Sequence, residues 1–213
     1  MHLYTYFRSS AAYRVRIGLA LKGLSPEPHF VDLREGHQHA SEYRALNPQG
    51  LVPLLLHDGL VLGQSLAILE YLDEIAPTPP LLPAEAAGRA RVRSLAYAVA
   101  CEIHPLQNLR VQKYLVQKLG RAHDEVLDWV KYWITTGLDA VEALVATHPA
   151  TGRFCHGSEP TLADVCLVPQ LANADRYGCW MPDAWPTLTR IRGACAELEA
   201  FRAAEPSRQP DAV

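Results

Sequence analysis

The sequence predicts an α+β N-terminal domain, built on a small mixed sheet, followed by an all-α C-terminal domain. Three observations predict this. Strand-length apolar runs and alternations are confined to the first 62 residues, where they interleave with helical patterns in the order βαβ, then ββα. The stretch 77–83, PTPPLLP, carries four prolines in seven residues, which no helix or central strand accommodates. Beyond it no strand-like alternation of any length recurs, and the apolar spacing is helical. The boundaries read as 1–80 and 88–213, with the proline-rich stretch as linker.

Residues 2–6 alternate as a strand. In RSSAAYRVRIGLALKGL (8–24), Val15, Ile17, Leu19, Ala20 and Leu21 predict a largely buried helix that Gly23 ends. Pro28 to Leu33 is a second strand, and 34–50 is polar and turn-rich. Val52 to Leu56 is an apolar run of strand length; His57-Asp58-Gly59 is turn chemistry, and Leu60-Val61-Leu62 a further short strand. Gln64 and Ser65 precede a helix, with Leu66, Leu69 and Leu72 on one face, that closes at Ala76. After the linker, 88–118 and 124–147 read as two long helices. Thr161-Leu162-Ala163-Asp164 is a capping-box start for a third, to about Tyr177, and a last helix spans about 187–204.

A net charge of −3 and a pI near 6.3 do not suggest a nucleic-acid surface. No apolar run approaches a membrane span, and MHLYTYF enters a strand without a signal-peptide pattern. The five cysteines, 101, 155, 166, 179 and 195, form no CxxC and predict reduced thiols in a cytoplasmic protein. The histidines give no convincing metal set: His37 and His39 sit in a polar loop without partner spacing.

Several stretches suit a small anionic peptide. A cis bond before Pro53 turns the backbone N–H and C=O of Val52 outward for an extended ligand; the alternative is an edge strand that begins with proline. Ser65, at free helix amides, suits a carboxylate or simply caps its helix. Arg8-Ser9-Ser10 stands before the first helix, where hydroxyls and free amides favour a thiolate, or again only cap. In CEIHPLQNLRVQKYL, His104, Asn108 and Gln112 recur at helical spacing, and Pro105 predicts a break there. Arg8, Arg110 and Arg176 suit a dicarboxylate, because guanidinium groups pair bidentately with carboxylates. The alternative is that these polar groups pack helices and pair with surface acids.

Taken together, RSSAAYRVRIGLALKG, Asn47-Pro48, Val52-Pro53, Gln64-Ser65, LAILEYLDE, PTPPLLP, IHPLQNLR, TLADVCLVPQLANADRY and the tail RQPD resemble the zeta class of the glutathione S-transferase superfamily, over nearly the whole chain. The resemblance implies a thioredoxin-like first domain along which glutathione lies, a helical second domain, and a homodimer. It implies that Ser9 contacts the thiol, with Ser10 the alternative. Val52, beside Pro53, pairs with the cysteinyl backbone, and Gln64 and Ser65 hold the γ-glutamyl end. His104 and Asn108 line the site, and Arg8, Arg110 and Arg176 hold a small dicarboxylate substrate. The implied activity is isomerisation of maleylacetoacetate or, alternatively, of maleylpyruvate. Further alternatives are conjugation of glutathione to small anionic electrophiles, or a non-enzymatic scaffold.

One position departs from the class. Where it commonly has Cys after the two serines, this chain has Ala11. A mechanism that uses the glutathione thiolate predicts that activity survives the change.

Overall fold

The computed structural model describes residues 1–212. The chain packs as two units, Met1–Leu81 together with the segment from Glu197 onward, and Leu82–Ala196.

The first unit holds a four-stranded sheet of order β2-β1-β3-β4: β1 His2–Thr5, β2 Glu27–Phe30, β3 Leu54–His57 and β4 Leu60–Gly63. β1 and β2 are parallel, joined through α1 (Ser10–Leu21), whereas β1–β3 and β3–β4 are antiparallel. Strand alternation divides the apolar side chains between the two faces. Leu3 and Leu55 pack on one face with Val15 and Leu19 of α1 and Ile68 and Leu72 of α3 (Ser65–Ile75). Tyr6, Val31, Tyr43, Val52 and Leu54 form a second cluster.

Gly23 ends α1 as expected. Its φ of +65° is the left-handed conformation of a Schellman cap, with Leu24 N–H donating to Leu19 O (2.9 Å) and Gly23 N–H to Ala20 O (3.2 Å). A short helix, α2 (Ser41–Leu46), lies in the stretch expected to be turns. Six residues with one buried side chain, Tyr43, leave too little apolar periodicity to detect. The strand after Pro53 begins at Leu54, two residues later than its apolar run suggests. The Val52–Pro53 and Thr78–Pro79 bonds are cis.

Buried Lys22 anchors the start of the linker. Its Nζ donates to Asp73 Oδ1 (2.6 Å) and to the Pro79 carbonyl, and Leu81 N–H donates to the same Asp73 oxygen (2.8 Å).

The second unit is helical: α4 Ala86–Tyr97, α5 Leu109–Gln117, α6 His123–Ala146, α7 Leu162–Arg176 and α8 Pro186–Ala196. The single helix expected over 88–118 is interrupted. α4 widens into a π-helical stretch, Ala98–Ile103, tightens into a 3₁₀ turn, His104–Gln107, and breaks at Asn108 (φ −64°, ψ 145°). Pro105, which has no N–H to give, lies at this break. The last expected helix is also divided: Leu198, in extended conformation, separates α8 from α9 (Glu199–Ala203), and α9 belongs to the first unit.

Candidate functional site

In the first unit the candidate residues gather at the C-terminal end of β1 and the N-terminal ends of α1 and α3. Ser9 is the N-cap of α1, in extended conformation and half-exposed; its Oγ accepts the Ala12 N–H at 3.2 Å. A serine hydroxyl both accepts and donates. With the oxygen engaged by the helix, the proton of Ser9 is what it offers a ligand. Ser10, the first residue of α1, is buried. Arg8 is exposed, with its guanidinium 5.2 Å from the centre of the Phe7 ring.

Ser65 stands one residue further in than Ser9, because the N-cap of α3 is Gln64, whose side chain makes no cap bond. It opens α3 and is buried, and its Oγ accepts from Arg14 Nη1 at 3.2 Å. Arg14 is itself 2% exposed, so a guanidinium is held beneath a helix N-terminus. The two positive ends together favour an anion such as a carboxylate at Ser65. Arg14 is not among the residues that the sequence pattern singled out. Its position on an apolar stretch of α1 was the available signal, because a buried arginine needs partners.

The loop that carries Val52 is fixed from below. The Leu51 carbonyl accepts from Tyr43 Oη (2.5 Å) and Asn47 Nδ2 (2.8 Å), while Asn47 Oδ1 accepts the Gln49 N–H (3.1 Å). Burial pushes the Tyr43 hydroxyl up to about 12, so it stays protonated and a donor. Gln64, at φ +67°, donates through Nε2 to Gln49 Oε1 (2.8 Å), which ties the α3 N-terminus to this loop. Val52 and Pro53 are buried; Gln64 is exposed.

The Tyr6–Ser9 loop is also held by groups distant in sequence. Asp211 Oδ2 accepts the Phe7 N–H at 2.9 Å. Arg16 donates to the carbonyls of Ala204 (3.2 Å), Tyr6 (3.4 Å) and Phe7 (3.1 Å), and to Thr5 Oγ1 (3.3 Å). Burial lowers its pKa to about 10, still high enough to keep it charged near neutrality. The tail motif thus secures the residue that precedes Arg8.

In the second unit, His104, Asn108 and Gln112 do not share one helix face as their spacing suggested. His104 heads the 3₁₀ turn, half-buried. Asn108 caps α5, its Oδ1 accepting the Arg110 N–H at 3.1 Å, which leaves its amide nitrogen for a ligand. Gln112 has a structural role: Nε2 donates to Gln107 O (2.7 Å) and Tyr177 Oη (2.9 Å). That link holds the first turns of α5, with exposed Arg110, beside the end of α7, where exposed Arg176 lies over the Tyr177 ring at 5.0 Å. Two of the three predicted cations are therefore carried by elements that this bond joins.

All five cysteines are free. Cys155 and Cys195 are buried and Cys179 half-buried, and burial raises the pKa of all three, which disfavours a protein thiolate.

Two family models match. One is described as glutathione S-transferase, N-terminal domain, over residues 1–74; the other as glutathione S-transferase, C-terminal domain, over 134–206. The chain is 48% identical over 212 residues to a probable maleylacetoacetate isomerase of Vibrio cholerae, covering 99% of this chain and 97% of that protein. Among solved structures, it is similar to a holo maleylpyruvate isomerase, described as a bacterial zeta-class glutathione S-transferase, with TM-score 0.97, 45% identity and full coverage of both chains. It is equally similar in fold (TM-score 0.97, 42% identity, full coverage of both) to a maleylacetoacetate isomerase of Methylobacterium extorquens AM1 with bound malonate and glutathione.

Proposed function

Because the chain belongs to the glutathione S-transferase family, in its zeta class, we propose that it is a glutathione-dependent cis–trans isomerase that converts maleylacetoacetate to fumarylacetoacetate. The observation that carries the mechanism is Ser9 at the N-terminus of α1: half-exposed, its oxygen engaged by the helix and its proton left to donate.

The chemistry follows from the bond to be turned. A C=C bond does not rotate, so it must become a single bond for a time. The glutathione thiolate adds to the alkene carbon, and the displaced π electrons move onto the conjugated carbonyl oxygen as an enolate. The C–C bond rotates, the enolate collapses, and the thiolate leaves. Glutathione is regenerated and no atom is gained or lost. The protein has to hold a thiolate and an enolate. Ser9 donates to the thiolate, aided by the N-terminal amides of α1, with Ser10 the alternative donor. Val52, beside Pro53, pairs with the cysteinyl backbone. Gln64 and Ser65 take the γ-glutamyl carboxylate over buried Arg14. Arg8, Arg110 and Arg176 hold the substrate carboxylates and the developing enolate, and His104 and Asn108 line the pocket. Residues 1–80 are thus assigned to glutathione and the helical part, read from the sequence as 88–213, to the substrate, except for the segment from Glu197 onward, which packs with the first unit. We further assign a homodimer and a cytoplasmic location; no helix among the described residues is long and apolar enough to cross a membrane.

Replacing Arg14 by Met removes the donor to Ser65 Oγ and the charge beneath it. The expected result is a glutathione Kd raised about tenfold, near 1.4 kcal/mol, with Arg14→Lys intermediate. Calorimetric titration checks it, and an unchanged Kd removes Arg14 from the site.

The test of the function is a coupled assay in which ring-cleaving dioxygenases generate maleylacetoacetate and maleylpyruvate in separate cuvettes. A rate that needs both protein and glutathione, greater on maleylacetoacetate, is expected despite Ala11. A greater rate on maleylpyruvate, which the likeness to the holo structure favours, reassigns the substrate. A protein-dependent rate without glutathione overturns the mechanism.

A further inference from the structure

At the end of β1 opposite Ser9, three side chains converge that the mechanism does not use. Parallel pairing sets His2 beside Glu27 and Tyr4 beside His29. Residues two apart on a strand share a face. His2, Glu27 and His29 therefore project from the same side of the sheet, on its edge strand β2 and the neighbouring β1. His2 Nδ1 lies 3.2 Å from His29 Nε2 and 3.2 Å from Glu27 Oε2, and His29 Nε2 lies 3.8 Å from Glu27 Oε1. All three are at least partly open to solvent, with side-chain exposures of 47%, 65% and 36% for His2, Glu27 and His29.

We propose that His2, Glu27 and His29 form a zinc-type divalent metal site that clips edge strand β2 to β1. The first reason is geometric. Around a tetrahedral Zn²⁺ with ligands about 2.0 to 2.1 Å away, neighbouring donor atoms stand about 3.3 Å apart. The two histidine nitrogens, and His2 Nδ1 with Glu27 Oε2, already stand at that spacing; His29 Nε2 meets the other carboxylate oxygen, Oε1, at 3.8 Å, so rotation of the exposed carboxylate has to bring one oxygen to both imidazoles. The second reason is chemical. Two imidazoles and one carboxylate are a ligand set for Zn²⁺, Ni²⁺ or Cu²⁺, whereas Mg²⁺ and Ca²⁺ seek oxygen. The third is orientation. The His29 ring stacks on Tyr4 at 4.7 Å and 17°, which fixes the plane of one ligand before any ion arrives. Three protein donors leave a fourth position for water or a fourth ligand. Among the described residues this is the one group of three or more such side chains with donor atoms this close. Local spacing conceals it, because His2 and His29 are 27 positions apart. Without metal, the same groups form a histidine pair beside a carboxylate.

The test is calorimetric titration of zinc into the whole chain. His37, His39 and exposed Cys101 offer competing ligands, so the reference is the variant His37→Asn/His39→Asn/Cys101→Ser. The reference should bind one zinc per chain and no magnesium, and zinc should raise its melting temperature. Adding His29→Asn should weaken zinc binding at least tenfold and abolish that rise. It should leave the melting temperature without metal, and the glutathione-dependent rate, unchanged. A reference variant that binds no zinc, or one whose zinc binding survives His29→Asn, overturns the site.

Discussion

Replacing Ser9 by Ala should lower kcat/KM for the isomerisation about a hundredfold, the cost of losing one preorganised donor to a developing anion. The defect should depend on pH with a defined sign. A hydrogen bond to the thiolate favours the charged form and lowers the pKa of bound glutathione. Without it the thiol returns toward its ordinary value near 8.5, so the variant falls furthest behind at neutral pH and recovers as the pH rises past that value. Ultraviolet absorbance of the bound thiolate reports the same shift independently of turnover. Stability has to be separated from chemistry, because Ser9 Oγ also caps α1 through the Ala12 N–H. Loss of that cap costs about 1 kcal/mol. Ser9→Asp makes the separation: aspartate is an equally good cap, but it sets a carboxylate where the thiolate must form. It should melt like the parent and be inactive. If Ser9→Ala stays within threefold of the parent while Ser10→Ala does not, the donor is Ser10 and the cap of α1 is only a cap.

How much of this was legible in the chain depends on the range of the interactions that decide each feature. Local ones were readable. The strand alternation at the start of the chain, the Gly23 stop and the proline-rich break reappear, because strand period, left-handed caps and missing amide hydrogens act within a few residues. Leu69 and Leu72 are buried as their spacing suggested, with Ile68 rather than half-buried Leu66 beside them. Short or competing elements were not. SEYRAL forms α2 with a single buried residue. The run 88–118 is periodic enough for one helix, yet Pro105 and the Asn108 cap divide it.

The same division holds at the candidate site. Ser9, Gln64 and Ser65 announce themselves as residues at helix starts. Nothing near Arg14 in sequence says that it reaches Ser65, 51 positions away, and nothing near Phe7 names Asp211, 204 positions away. In the proposed mechanism, these second partners distinguish the anion site from an ordinary helix start. The resemblance to a family supplied the roles; the contacts supply the physical reason the serines can fill them.

Replacing Asp164 by Ala should destabilise the chain by about 3 to 5 kcal/mol, through donors that lose their acceptor within a protein interior. The carboxylate is fully buried and accepts Cys155 N–H on Oδ1 (2.8 Å), and Thr161 N–H (2.8 Å) and Oγ1–H (2.9 Å) on Oδ2. Burial raises its pKa, and the backbone and side-chain donors of Cys155 and Thr161 oppose that rise. The side chain therefore does two things. It closes the start of α7, as the Thr-Leu-Ala-Asp pattern predicted, and it anchors the loop at Cys155, which the pattern did not. Asp164→Asn keeps the shape but turns an NH₂ group toward an amide N–H, and should recover only part of the loss. At about 2 to 4 °C per kcal/mol for a chain of this length, the alanine variant should melt about 10 °C lower. Calorimetry and urea titration measure both variants. The effect should reach activity only through the folded fraction, because Asp164 meets no ligand in the proposed mechanism: below its melting range the alanine variant should keep the parent KM for both glutathione and substrate. An Asp164→Asn protein as stable as the parent would show that the charge carries nothing. A changed KM in the cold would show that the start of α7 positions Arg176 at its far end.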